Sequence, residues 1–151
     1  MPKKLLLGAG NDIRGDDGVG EFVAREFEDE DWEVIDCGTM PENYITKVDR
    51  EDFDLVLIVD AAQMGLEPGE IRKVPRDRLG IFTMSTHAMP LSLLMDYVEK
   101  RVEELFLIGI QPKDMGLKEG LTPPLKEAKE RMLQLLHSGG WRDIPWLEKS
   151  G

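Results

Sequence analysis

Residues 4–27 read KLLLGAGNDIRGDDGVGEFVAREF, and they make three structural statements in a row. Leu5-Leu6-Leu7 is a short apolar run of the kind found in strands buried on both faces. Glycines at 8, 10, 15, 18 and 20 then mark a tight turn. Val19, Phe22, Val23 and Phe27 follow at helical spacing and share one face. A glycine-rich turn between a strand and a helix usually offers backbone N–H groups to a phosphate. This turn instead carries adjacent carboxylates, Asp16 and Asp17, and lacks the Lys-Ser/Thr of a phosphate-binding P-loop. A phosphate arriving without a cation would be repelled. The loop is suited to hold a metal ion or a proton.

Apolar runs and helical patterns keep alternating. Glu33 to Asp36 reads as a short strand and Glu42 to Val48 as a brief helix. Leu55-Val56-Leu57-Ile58-Val59 is the best central parallel strand. Glu70 to Val74 reads as an added edge strand stopped by Pro75. Pro90 suits the first turn of a helix whose core face is Leu91, Leu94, Met95, Val98 and Val102. Leu105 to Ile110 is another buried strand. Thr122-Pro123 opens a last helix, with Leu125, Ala128, Met132, Leu135 and Leu136 inward and Gly139-Gly140 as its stop. The pattern predicts an α/β fold. Residues 1–151 form a single three-layer domain: a mostly parallel twisted sheet of about five strands, helices on both faces, and an irregular tail over 139–151. Ligands of such sheets bind beyond the carboxyl ends of the strands.

Composition narrows the partners. The formal net charge is −11, from 19 basic and 30 acidic residues. Nucleic acid and anionic membrane surfaces are disfavoured by that charge, whereas a metal ion or a cationic peptide segment is attracted. No apolar run approaches the roughly 18 residues of a membrane span, so a soluble, cytoplasmic protein without membrane insertion is expected. Cys37 is the single cysteine, which excludes an internal disulfide and a cysteine-based zinc site. It reads as a small semi-buried residue near a strand end. The oligomeric state is left open, a monomer included.

The strand-end rule selects three side chains. Asp17 lies in the loop after the first strand, Asp60 directly follows Val59, and His87 lies just before the helix at Pro90. Two carboxylates and an imidazole suit a divalent first-row metal such as nickel or zinc. Each also has an ordinary reading. Asp16 reads as a helix N-cap, and Asp17 in the first helical turn would complement the macrodipole. Asp60 could cap a turn, and His87 could be a loop histidine. His137, near a helix C-terminus, is assigned no chemistry.

Gly10-Asn11, Asp16-Asp17-Gly18, Gly20, Val59-Asp60-Ala61, Thr86-His87, Met89-Pro90-Leu91 and Gly109-Ile110-Gln111-Pro112 together resemble the signature of the hydrogenase maturation endopeptidases. Gly38-Thr39-Met40-Pro41-Glu42-Asn43, and the stretch from Met64-Gly65-Leu66 through Gly69-Glu70-Ile71-Arg72, resemble the branch serving the formate hydrogenlyase [NiFe]-hydrogenase. The likeness runs in order from about residue 5 to 125. It implies a nickel-dependent, aspartic-type endopeptidase that removes the C-terminal extension of the large-subunit precursor after nickel insertion. By position, Asp17, Asp60 and His87 would be both catalytic and metal-contacting. The nickel would arrive within the substrate. Asp12 and Arg14 stand where the family is often apolar. The walls of a peptide groove would come from the chain between Gly38 and Tyr44, the Gln63 to Glu67 loop and the Gln111 to Leu121 loop. Two other readings remain at this point: a nickel-binding chaperone without hydrolysis, and an α/β enzyme binding a magnesium nucleotide or phosphosugar. Within the protease reading, the base could be Asp17 or Asp60, the metal could polarise the carbonyl, or the two carboxylates could work as a dyad without metal.

Overall fold

The computed structural model describes residues 3–40, 48, 50–75 and 91–147. Five strands form one sheet: β1 Lys4–Ala9, β2 Trp32–Gly38, β3 Leu55–Ala61, β4 Ile71–Val74 and β5 Glu104–Ile110. Their order across the sheet is β2-β1-β3-β5-β4. The first four in that order run parallel, and β4 joins β5 antiparallel at the edge. Among the described residues the α-helices are α1 Val19–Glu26, α2 Leu91–Glu99 and α3 Pro123–Ser138. The brief helix expected over Glu42 to Val48 lies, apart from Val48, outside the described residues, as does Pro90.

Strand alternation sorts the core into two layers. Leu6, Leu57, Val59, Ile108 and Ile110 face α1 and α3, where they meet Val19, Val23, Leu125, Ala128 and Met132. Leu5, Leu7, Val56, Ile58 and Leu107 face the other way, onto Leu94, Met95 and Val98 of α2. All seven residues of β3 are buried, which explains its unbroken apolar run. Helix α3 begins with Thr122 as its N-cap and Pro123 in the first turn, and it ends on Gly139 at φ +83°. The described tail beyond it, to residue 147, is packed and opens with a 3-10 turn over Gly140–Asp143, where the sequence pattern predicts no regular element. Trp141 is buried against Trp32 and Phe106, and Trp146 pairs with Lys73, which extends the β4 edge. Cys37 is buried rather than half-buried, because β2 packs its end into the α2 layer.

The order of the strands positions the site. From β1 the chain passes through α1 to β2 on one side; β3, β5 and β4 lie on the other. The connections diverge between β1 and β3, which opens a crevice there beyond the carboxyl ends of the strands.

Candidate active site

That crevice is bordered by the two segments carrying Asp17 and Asp60. After Ala9 the chain turns sharply at Gly10, whose φ is +145° and whose added Cβ would lie 2.0 Å from the Asp17 carbonyl oxygen. Only glycine fits there. Asn11 N–H donates to that carbonyl at 3.3 Å, and the Asn11 side-chain oxygen accepts from Ile13 N–H at 3.2 Å. The chain then makes a 3-10 turn over Gly15–Gly18 and enters α1. Gly20, in the first turn of α1, sits directly on β1 and β3: a Cβ there would be 2.2 Å from the Val59 oxygen and 2.4 Å from that of Ala9. This contact lays the start of α1 beside the end of β3. Asp17 is 1% exposed, and so is Asp60, whose Oδ1 accepts from Ala61 N–H at 2.8 Å.

The structure thus brings Asp17 and Asp60 to the same rim, each buried. His87, with Thr86 and Met89, lies outside the described residues. Among the described residues, no three His, Cys, Asp or Glu side chains group to hold a metal.

Asp16 corrects an expectation. It is not a helix N-cap: Arg14 occupies that position of the 3-10 turn and Gly18 that of α1, and neither makes a side-chain capping bond. The Asp16 carboxylate, fully buried, instead reaches the loop after β5. Its Oδ2 accepts from Lys113 N–H at 2.8 Å, Asp114 N–H at 2.9 Å and the Thr122 hydroxyl at 2.8 Å, and its Oδ1 accepts from Thr122 N–H at 2.8 Å. A carboxylate offers about four lone-pair sites. Four donors, three on Oδ2 and one on Oδ1, commit the Asp16 carboxylate to this loop junction. Of the adjacent pair, Asp17 is the chemical candidate.

A second buried carboxyl group stands on α1. Glu21 is 5% exposed and accepts from Arg25 Nη2 at 2.8 Å. The same guanidinium donates to Asp12 Oδ2 at 2.9 Å and to Asp36 Oδ2 at 2.6 Å. Three carboxyl groups share one cation. Burial, then a hydrogen bond to Asp36, then the charges of Asp36 and Asp12 push the Glu21 carboxyl up to about 8, against the opposing pull of Arg25. These influences favour the protonated form of Glu21. The i,i+4 spacing of Glu21 and Arg25 was readable from sequence; the arrival of Asp36 from β2 was not.

A cavity of about 270 Å³ opens beside this cluster, lined by Asp12, Ile13, Phe22, Arg25, Glu119 and Gly120. Ile13 and Leu117 stand exposed on its two loops. A second cleft, of about 260 Å³, lies between β4 and α3 around Arg72 and Arg131 and includes neither Asp17 nor Asp60. Neither cavity is lined by Asp17 or Asp60, which lie at the strand-end rim.

Comparison with known proteins identifies the family. A family model described as hydrogenase maturation protease matches residues 18–138. The chain belongs to this family. The hydrogenase 3 maturation protease of Escherichia coli K12 is 41% identical over 141 residues, covering 91% of this chain and 89% of the relative. A protein of Methanocaldococcus jannaschii described as a putative hydrogenase maturation protease is 30% identical over 123 residues, covering 74% of this chain and 73% of the relative. Among solved structures, the endopeptidase HycI of Escherichia coli superposes with a TM-score of 0.86 at 37% identity over 97% of both chains. HycI of Thermococcus kodakarensis gives 0.79 at 36% identity over 90% of both. This maturation protease therefore shares the five-stranded sheet and helical layers of its relatives. Among the described residues, no helix is long and apolar enough to cross a membrane.

Proposed function

We propose that this protein is a cytoplasmic endopeptidase that removes the C-terminal extension of a [NiFe]-hydrogenase large-subunit precursor once nickel has been inserted. The observation that carries the reading is the pair of buried carboxylates, Asp17 and Asp60, at the point where the strand connections diverge in a chain of this family. Two oxygens and the His87 imidazole form the mixed set that a divalent first-row metal accepts. His87 precedes Leu91, the first residue of α2, by four positions. Because α2 leads down to the start of β5 at Glu104, its first turn belongs to the carboxyl-end rim, on the layer that Asp60 faces by strand alternation.

The nickel belongs to the substrate, held by the precursor's own ligands. Asp17, Asp60 and His87 complete its coordination, which docks the loaded precursor and orients the scissile bond. An empty precursor lacks that contact and is rejected by difference. Hydrolysis then needs a base: a carboxylate of the pair takes a proton as the water oxygen bonds to the scissile carbonyl carbon, and returns it to the amide nitrogen, which leaves as an amine when the C–N bond breaks.

Mass spectrometry of precursor incubated with the protein, with and without nickel, tests this. Loaded precursor should lose its C-terminal peptide and empty precursor should not. Asp17→Asn, Asp60→Asn and His87→Ala should each slow release by more than about 10²-fold. Normal cleavage by all three variants would end the proposal, and absence of cleavage by the wild type would point to a nickel chaperone instead.

A further inference from the structure

Three rim loops are stitched together by side chains that the proposed chemistry does not use. Gln111, 3% exposed, accepts at Oε1 from Met64 N–H at 2.7 Å and Leu66 N–H at 3.3 Å, and it donates from Nε2 to Gln63 Oε1. It joins the loop after β5 to the loop after β3. Asp16 joins the loop after β5 to the loop after β1, and here the separation is informative. Strands β1 and β5 are not neighbours, because β3 lies between them. Their loops nevertheless bond directly. Gly15 N–H donates to the Lys118 oxygen at 2.9 Å, Asp16 N–H to that of Asp114 at 2.9 Å, and Lys118 N–H to that of Ile13 at 3.0 Å. The four bonds to the Asp16 carboxylate sit at the centre of this junction. The two loops thus span the width of β3, whose last two residues are Asp60 and Ala61, and Asp17 is the residue next to Asp16.

A carboxylate that accepts four hydrogen bonds from one distant loop is a tether. Among the described residues every side-chain bond to it comes from residues 113–122, and Thr122, at the N-cap position of α3, supplies two of them, its hydroxyl included. We propose that Asp16 is a positioning residue for precursor cleavage: it fixes the 113–122 loop against the Asp17 turn, so that the loops flanking Asp60 form one preformed wall for the substrate peptide. The proposal rests on the endopeptidase reading above. A preformed wall removes an ordering cost from each binding event. Its loss should therefore weaken binding of ground state and transition state alike, which raises KM and leaves kcat in place.

Thr122→Val removes one donor from Asp16 and keeps the shape of the side chain. Thr122→Ser keeps the donor. Asp16→Asn sets an amide N–H2 against groups that are themselves donors. Steady-state cleavage of nickel-loaded precursor, at a temperature where each variant is fully folded, should give a KM about tenfold higher for Thr122→Val with kcat within about twofold. Thr122→Ser should restore KM, and Asp16→Asn should move it further in the same direction. Amide hydrogen exchange should show Lys113 and Asp114 losing protection in Thr122→Val while the β1 and β3 amides keep theirs. A lowered melting temperature with KM unchanged would reduce Asp16 to a stability element and overturn the proposal alone. If wild-type protein releases no peptide, the endopeptidase reading falls and the proposal falls with it. Should Asp16→Asn fail to fold, the two Thr122 variants decide.

Discussion

Gly20→Ala tests whether the seating of α1 on the sheet sets the position of Asp17. The added methyl group would lie 2.2 Å from the Val59 oxygen, 2.4 Å from the Ala9 oxygen and 3.0 Å from the Ala9 nitrogen. All three are backbone atoms of the central strands, so none can swing aside. A relaxed carbon–oxygen contact is about 3.3–3.6 Å, so the first turn of α1 must retreat by about 1 Å. Two stability effects oppose each other. Overpacking costs about 1–3 kcal/mol, and alanine in a helix recovers about 1 kcal/mol relative to glycine. The net loss should be about 0–2 kcal/mol, or at most about 8 °C in Tm for a chain of this size. The effect on function should be far larger than that. A shift of about 1 Å in a catalytic group can cost about 10²-fold, and Asp17 precedes Gly20 by less than one helical turn. The assay is single-turnover cleavage of loaded precursor at 20 °C beside circular dichroism of the same sample. Gly139→Ala serves as the control: Gly139 has a φ of +83° with open space around it, so alanine there should lower Tm through backbone strain without changing the cleavage rate. A Gly20→Ala protein that is fully folded and cleaves at the wild-type rate would refute the idea that this glycine contact holds the site.

The Glu21 cluster predicts a pH dependence of stability. A carboxyl group raised from 4.5 to about 8 in the folded state keeps its proton where the unfolded chain has released it, so stability should fall as pH rises between those values. Each unit corresponds to about 1.4 kcal/mol, and the half-exposed Arg25 lets solvent screen the group, so urea unfolding at pH 5 and pH 9 should differ by about 1–2 kcal/mol from this source. Glu21→Gln keeps a donor for Asp36 and an acceptor for Arg25, and it should flatten that slope; an unchanged slope would show that Glu21 is already ionised at pH 7. Trp141→Ala empties a buried site between Trp32 and Phe106 and should cost about 3–5 kcal/mol in urea unfolding, with KM for the precursor unchanged in the folded fraction. Gln111→Leu preserves volume but leaves the Met64 and Leu66 amides without their acceptor, which should cost about 1–3 kcal/mol and loosen the loop after β3 in hydrogen exchange.

The contrast between Asp16 and Asp17 shows where sequence reading stops. The strands were legible because a parallel strand buried on both faces must be apolar throughout, as Leu55 to Val59 is. The last helix was legible because its burial follows a 3.6-residue period from Leu125 to Leu136. The positions of Asp17 and Asp60 at the rim followed from those assignments, since each lies where a strand ends. The role of Asp16 could not follow. Its partners are 97 to 106 residues away, and three of the four donors are backbone N–H groups, which every non-proline residue possesses and which leave no trace in the sequence. The order of β3 and β5, and the packing of the tail through Trp141 and Trp146, are equally products of long-range fit. Two adjacent residues of one type can therefore differ completely in function. The carboxylate of Asp16 is bound by a distant loop, and that of its neighbour Asp17, in the turn after β1, makes none of those four bonds. Local sequence cannot distinguish them, because the distinction is made by a loop that arrives a hundred residues later.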